Sequence, residues 1–152
     1  MPAANPAPTA VTTSLEQAVA VALGRATARI QLQVEQALKG LGLTLTQHNA
    51  LRILNGAGPG GLCGTEIAAR MISAVPDMTR LLDRLADAGL VERERDPENR
   101  RFVTARITEA GRERVAAAIP VLDALHREQF KGLSEGQLRT LLELLQLARG
   151  PA

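Results

Sequence analysis

The stretch VPDMTRLLDRLADAGLVERERDPENRRFVTARIT, Val75 to Thr108, decides the fold. Its first part is amphipathic: Met78, Leu81, Leu82 and Leu85 recur at the i, i+3, i+4, i+7 spacing that puts them on one face of a helix. Pro76 suits a first helical position, Asp77 suits the positive end of the helix dipole, and Gly89 suits the end of the element. LVERER and RFVTARI then alternate and are rich in branched residues, with the turn-forming DPENR between them. The pattern predicts a helix over 75–88 and a two-stranded antiparallel hairpin after it. A helix running straight into a charged hairpin suits a module that lies on nucleic acid, the helix in one groove and the hairpin tip in the next.

Before this stretch, GTEIAARM predicts a short helix over about 65–71, and LTLTQHNALRIL predicts one capped by Thr46 with Ala50, Leu51 and Leu54 inward. The glycine-rich GAGPGGLCG between them reads as a flexible connection. Three short helices and a hairpin, with a tight break between the second and third helices, is the order of a winged helix-turn-helix. On the flanks, Ser14 and Gln17 resemble a capping box, opening a long helix whose stripe is Val19, Leu23, Ala26, Ile30, Val34, Ala37 and Leu41. Thr108 caps a fifth helix to about Lys131, with a kink expected at Pro120, and Ser134 with Gln137 opens a sixth to about Ala148. The sixth helix carries Leu138, Leu141, Leu142 and Leu145 with Leu144 and Leu147 beside them, more apolar surface than one packing face needs. Either a second chain covers the excess or the helix packs between the first and fifth of its own chain.

With 152 residues, 45% hydrophobic and 22% charged, the chain is long enough for one domain with a real core. Phe102 and Phe130 are the only aromatic residues, so Leu, Val, Ile and Ala must build that core. A formal charge of +2 is too small to argue for nucleic acid in bulk, so that case must be local. One cysteine, Cys63, leaves no intrachain disulfide and no cysteine-based metal site, consistent with a reducing compartment. The start, MPAANPAPTAVTT, lacks the features of a signal peptide, and residues 1–13 read as a disordered Pro/Ala tail. No run approaches the ~18 apolar residues of a membrane span. The expectation is a soluble, cytoplasmic protein with no membrane association.

On the Val75–Ala88 helix the residues facing outward are Pro76, Arg80, Asp83 and Asp87, flanked by Ser73, Asp77, Thr79 and Arg84. Arg80 and Arg84 can donate to guanine edges or phosphates, and Thr79 is short enough to approach a base. A solvated face braced by Arg80–Asp83 and Arg84–Asp87 pairs would look much the same. The hairpin tips the balance towards DNA. Its acids nearly cancel its arginines, but Arg100 and Arg101 sit beside a compact tip, where long side chains can reach an adjacent minor groove.

Taken in order, T-R-L-x-D-R-L-x-x-x-G-L-V, R-D-P-x-x-R-R and I-T-x-x-G resemble the MarR family of winged helix-turn-helix regulators over about residues 15–148. The resemblance implies a mainly α fold with a small β-hairpin wing and a helical dimerisation lobe. Its expected organisation is a dimerisation lobe of residues 14–44 and 108–149 around a DNA-binding module of residues 45–107. It also implies a homodimer on a palindromic operator, and repression relieved by a small ligand such as an aromatic acid. By position, Thr79 and Arg80 match the family's recognition-helix contacts and Arg101 its wing arginine. Asn99 departs from the aspartate common two residues before that arginine, which loosens the expected charge pairing at the tip.

The expected DNA-binding set is therefore Ser73, Pro76, Asp77, Thr79, Arg80, Arg84, Asn99, Arg100 and Arg101. His48 and Arg52, next to the seam between lobes, are the candidate ligand-binding residues. His126 reads as packing or solvent-facing, and the two histidines offer no metal-ligand spacing. Cys63 has no basic neighbour in sequence to lower its thiol pKa and reads as inert. GAGPGG lacks the Lys-Ser/Thr ending of a phosphate-binding loop, no nucleophile–base pair is evident, and neither an enzyme nor a cofactor is expected. The alternative is a winged-helix interaction adaptor that has abandoned DNA, since Asp83 and Asp87 would repel phosphates.

Overall fold

The computed structural model describes residues 14–95 and 103–150. The elements run α1 (Leu15–Lys39), α2 (Leu45–Asn55), β1 (Leu62–Cys63), α3 (Gly64–Arg70), α4 (Met78–Asp87), β2 (Val91–Arg95), β3 (Val103–Ile107), α5 (Glu109–Gln129) and α6 (Glu135–Arg149). The tail over 1–13 and the hairpin tip with Asn99, Arg100 and Arg101 lie outside the described residues.

Local chemistry sets the helix ends. Thr44, not Thr46, caps α2: its Oγ1 accepts from the Gln47 backbone N–H at 3.1 Å, and Gln47 Oε1 accepts from the Thr44 N–H at 3.0 Å. A capping box needs its Gln three residues after the cap, and only Thr44 has one there. Ser134 and Gln137 form the same reciprocal pair at α6, whereas at α1 Ser14 Oγ accepts from Gln17 N–H at 3.1 Å and the return bond is not made. α4 begins at Met78, three residues later than the expected start at 75. Asp77 is its N-cap, accepting from the Arg80 N–H at 2.9 Å, so Pro76 precedes the helix instead of opening it. α4 ends on Gly89 at φ +71°, where Leu90 N–H bonds Leu85 C=O and Gly89 N–H bonds Ala86 C=O, both at 2.9 Å. This left-handed turn satisfies two end carbonyls and places Leu90 over Leu85, both buried. α5 runs as one element through Pro120; Pro120 and Ala116, whose carbonyl loses its bond, are both solvent-exposed.

The sheet has three strands, in the order β1-β3-β2, where a two-stranded hairpin was expected. Leu62 and Cys63 pair antiparallel with Ala105 and Thr104. The glycine-rich segment is thus no flexible connection at its end. Gly61 sits at φ +70°, and a Cβ there would lie 2.3 Å from the Ala105 carbonyl oxygen, so only glycine lets the chain come in beside β3. β2 and β3 pair from Val91 with Ile107 to Arg95 with Val103.

One core cluster runs through the described chain, with Leu38, Leu51, Leu54, Ile67 and Leu85 fully buried at its centre. Close-packed leucines and isoleucine from four helices fix α1, α2, α3 and α4 to one another, and α5 packs on α1 and α2. The apolar stripe expected on α1 is only half used: Ile30, Val34 and Leu41 pack, while Val19 is 57% exposed. No residue of α6 is fully buried in its own chain; Leu141 is half-buried, and Leu142 and Leu147 stand 58% and 77% exposed. Packing of α6 between α1 and α5 of its own chain is thereby excluded. No helix among the described residues is long and apolar enough to cross a membrane.

Candidate DNA interface and effector cleft

α4 turns Leu81, Leu82 and Leu85 into the core, which leaves Thr79, Arg80, Asp83, Arg84 and Asp87 exposed. Ser73, Pro76 and Asp77 are exposed in the segment that leads into it. Thr79 and Arg80 lie in the first turn, where an inserted helix presents side chains to base edges. The acids on this surface are partly committed elsewhere. The Asp77 carboxylate caps the helix, and Asp83 forms an ion pair with Arg93 of β2. The Arg80–Asp83 and Arg84–Asp87 pairs of the solvated-face reading do not form; among the described residues neither Arg80 nor Arg84 is ion-paired. On β3, Arg106 pairs across the sheet with Glu94 and donates from Nε to the Gly60 carbonyl at 3.4 Å, which ties the wing to the loop before β1.

A cleft of about 680 Å³ lies between the lobes, walled by α1, α2, the segment 71–75 that leads towards α4, and α5. Both candidate ligand residues line it. Arg52 donates from Nη2 to Asn49 Oδ1 at 3.3 Å, and Asn49, itself buried, donates from Nδ2 to Met71 Sδ at 3.6 Å. Burial holds the half-buried His48 imidazole below its ordinary value of 6.5, and the Arg52 guanidinium lowers it further. His48 is thus neutral near pH 7, able to donate from one ring nitrogen and accept at the other. Ser73 lines the same cleft as well as flanking α4. His126 also lines it, exposed, with Nδ1 2.8 Å from Gln129 Oε1. Asn49, Asp123 and His126 are among the wall residues that the sequence did not single out as ligand contacts: the cleft is assembled from four separate parts of the chain, and no local spacing announces it.

Because folding depresses the His48 pKa, the unfolded chain takes up that proton first as pH falls. The neutral imidazole's contribution is full above pH 6.5 and is lost as pH falls from there through the lower folded value. An NMR titration is expected to place the His48 midpoint below 6.5. Arg52→Gln should raise that midpoint without restoring 6.5, because burial is the larger cause. A wild-type midpoint at or above 6.5 would contradict this environment.

Cys63 is half-buried, its Sγ 3.0 Å from Thr65 Oγ1, at the start of α3. No group of three or more His, Cys, Asp or Glu able to hold a metal lies among the described residues.

The MarR family model matches residues 43–103, from the residue before the α2 cap through the first residue of β3. An HTH-type transcriptional repressor of Pseudomonas putida, IacR, is 30% identical over 125 residues, 82% of this chain and 74% of that protein. Among solved structures, a MarR transcription factor from Planctomyces limnophilus aligns with a TM-score of 0.71 at 36% identity, covering 88% of this chain and 97% of that one. CouR from Rhodococcus jostii RHA1, solved bound to p-coumaroyl-CoA, aligns with a TM-score of 0.73 at 26% identity, covering 93% and 98%. With the helices, sheet order and core of a winged helix-turn-helix in place, the chain belongs to the MarR family of transcriptional regulators.

Proposed function

We propose that this chain is a ligand-responsive transcriptional repressor, and not an enzyme, acting in the cytoplasm as a homodimer on a palindromic operator. Residues 45–107 form the DNA-binding module, and residues 14–44 and 108–149 the dimerisation lobe. Thr79, Arg80 and Arg84 read and grip one groove from α4, with Ser73, Pro76 and Asp77 at its approach. Asn99, Arg100 and Arg101, which lie outside the described residues, complete the proposed DNA-contacting set in the neighbouring groove. The observation that carries the reading is the state of α4: its apolar face is buried and its arginines are exposed without acid partners among the described residues, while Asp83 is held by Arg93. The adaptor alternative rested on Asp83 and Asp87 repelling phosphates, and the Arg93 pairing removes half of that objection.

His48 and Arg52 bind a small organic anion, such as an aromatic acid, in the cleft between α1, α2 and α5: Arg52 supplies charge, His48 a neutral hydrogen bond, and Ile30, Val34 and Ile119 the apolar wall. The ligand acts by favouring a spacing of the two DNA-binding modules that no longer fits the half-sites. CouR, 26% identical to this chain, is bound to p-coumaroyl-CoA, which supports a small organic ligand for this one.

Titration of the purified chain with duplex DNA across a range of salt tests the reading. Arginines that neutralise phosphates release counterions, so affinity should fall steeply as salt rises, by a slope of about 0.9 per phosphate contacted. Absence of binding at low salt by folded protein would return the weight to the adaptor.

A further inference from the structure

We infer that Asp83 and Arg93 together are positioning residues for DNA recognition, a clamp that sets the angle between α4 and the wing without touching DNA. Among the ion pairs of the described residues, theirs is the one that joins the recognition helix to the wing sheet. Arg93 lies mid-strand in β2, opposite Ala105 of β3, so a force on its guanidinium acts on the whole two-stranded ladder. Its side chain is largely covered, 24% exposed, and its Nε is shut off from solvent with no hydrogen-bond partner among the described residues. It lines a cleft of about 400 Å³ between α3, α4 and the sheet, together with Met78, Thr79 and Leu82. Where this cleft leaves α4 and the sheet incompletely packed against each other, the ion pair with Asp83 is a direct tie between them. Burying an arginine with an unmet N–H is costly unless its charge is matched, which makes the pair hard to separate.

The geometry has a consequence for recognition. α4 and the wing must enter neighbouring grooves together, and a small change in the angle between them lets only one engage. Asp83 on the outward face of α4 would otherwise be a liability, a negative charge beside phosphates. Its engagement with Arg93 turns that liability into a structural contact.

The inference rests on α4 being the DNA-reading helix, and the experiment separates the two. Binding of a preferred duplex is measured for the full-length Asp83→Asn, Arg93→Gln and doubly substituted proteins, with Arg80→Ala alongside and thermal unfolding of each as the folding control. A clamp predicts that Asp83→Asn weakens binding by about tenfold, the low end of one base contact, with a shallower salt dependence, even though it removes a negative charge. It also predicts that the double substitution costs no more than either single one, since each breaks the same tie. If Asp83 merely repels DNA, Asp83→Asn tightens binding, and the clamp is overturned. If the pair only stabilises the fold, the variants melt earlier but bind unchanged well below their melting temperatures, and the clamp is again overturned. Additive losses, with Arg93→Gln alone lowering the salt slope by about one, would make Arg93 a direct phosphate contact instead. An Arg80→Ala protein that binds like wild type would bring down the assignment of α4 itself. Loss in Arg80→Ala but not in Asp83→Asn would bring down the clamp alone.

Discussion

Ending the chain after Lys131 is expected to convert a dimer into a folded monomer. α6 contributes no buried residue to its own chain, so deleting it removes little that holds the monomer together. What it does carry is a wide apolar surface: Leu138, Leu142, Leu144, Leu145 and Leu147 are all exposed. The first half of α1 repeats the pattern with Leu15, Val19 and Leu23. Contiguous exposed leucines on this scale mark an association surface. Full burial of one leucine is worth roughly 1.5–3 kcal/mol. Three leucines per chain at half that value give about 4 kcal/mol or more, roughly a thousandfold in dimer affinity. Sedimentation or light scattering should therefore show a dimer for the full chain and a monomer for the truncation, with helical circular dichroism kept apart from the loss of α6. A truncated chain that still dimerises would refute the role given to this helix, and one that no longer folds would show that α6 is needed within the monomer.

Replacing Arg80 with Ala should cause the largest loss of operator binding among single substitutions on α4. Its backbone N–H is taken by Asp77, which fixes it in the first turn, and its side chain is exposed with no acid partner among the described residues. A good bidentate arginine–guanine contact is worth roughly 1–3 kcal/mol of discrimination, and a symmetric dimer makes it twice. The expected loss on the best duplex is at least about thirtyfold, with a smaller loss on random duplex. An equal loss on all sequences, with a lower salt slope, would move Arg80 from base reading to phosphate binding. Unchanged affinity would take it off the interface.

The legible parts of the fold were those whose physics is local. The stripe of α4 and its end at Gly89 are set by residues within a few positions, and both the helix and its hairpin are present, although the N-cap is Asp77 and Pro76 falls outside the helix. Where two similar residues compete for one cap, as Thr44 and Thr46 do, the position of the partner Gln47 decides, and that clue was in the text. The strand β1 was not legible, because two residues have no period and their pairing with Ala105 and Thr104 spans some forty positions. The periodicity of α1 identified an apolar face but not how much of it this chain would cover, so Val19 and Leu23 stand exposed. In the candidate site, Thr79, Arg80 and Arg84 followed from helical phase. The Asp83 partner did not: local i, i+3 pairing with Arg80 was the simpler expectation, and Arg93 lies ten residues away across the turn at Gly89. Asn49, Asp123 and His126 joined the cleft only once α2 and α5 were packed together.

If a symmetric dimer reads duplex DNA through α4 and the wing, selection of random duplexes on the purified protein should recover an inverted repeat. Its half-sites should be centred about one helical turn apart, ~34 Å, and be bound by one dimer. Enrichment of no duplex at low salt by folded, dimeric protein, or of a sequence without two-fold symmetry, would contradict that mode of recognition.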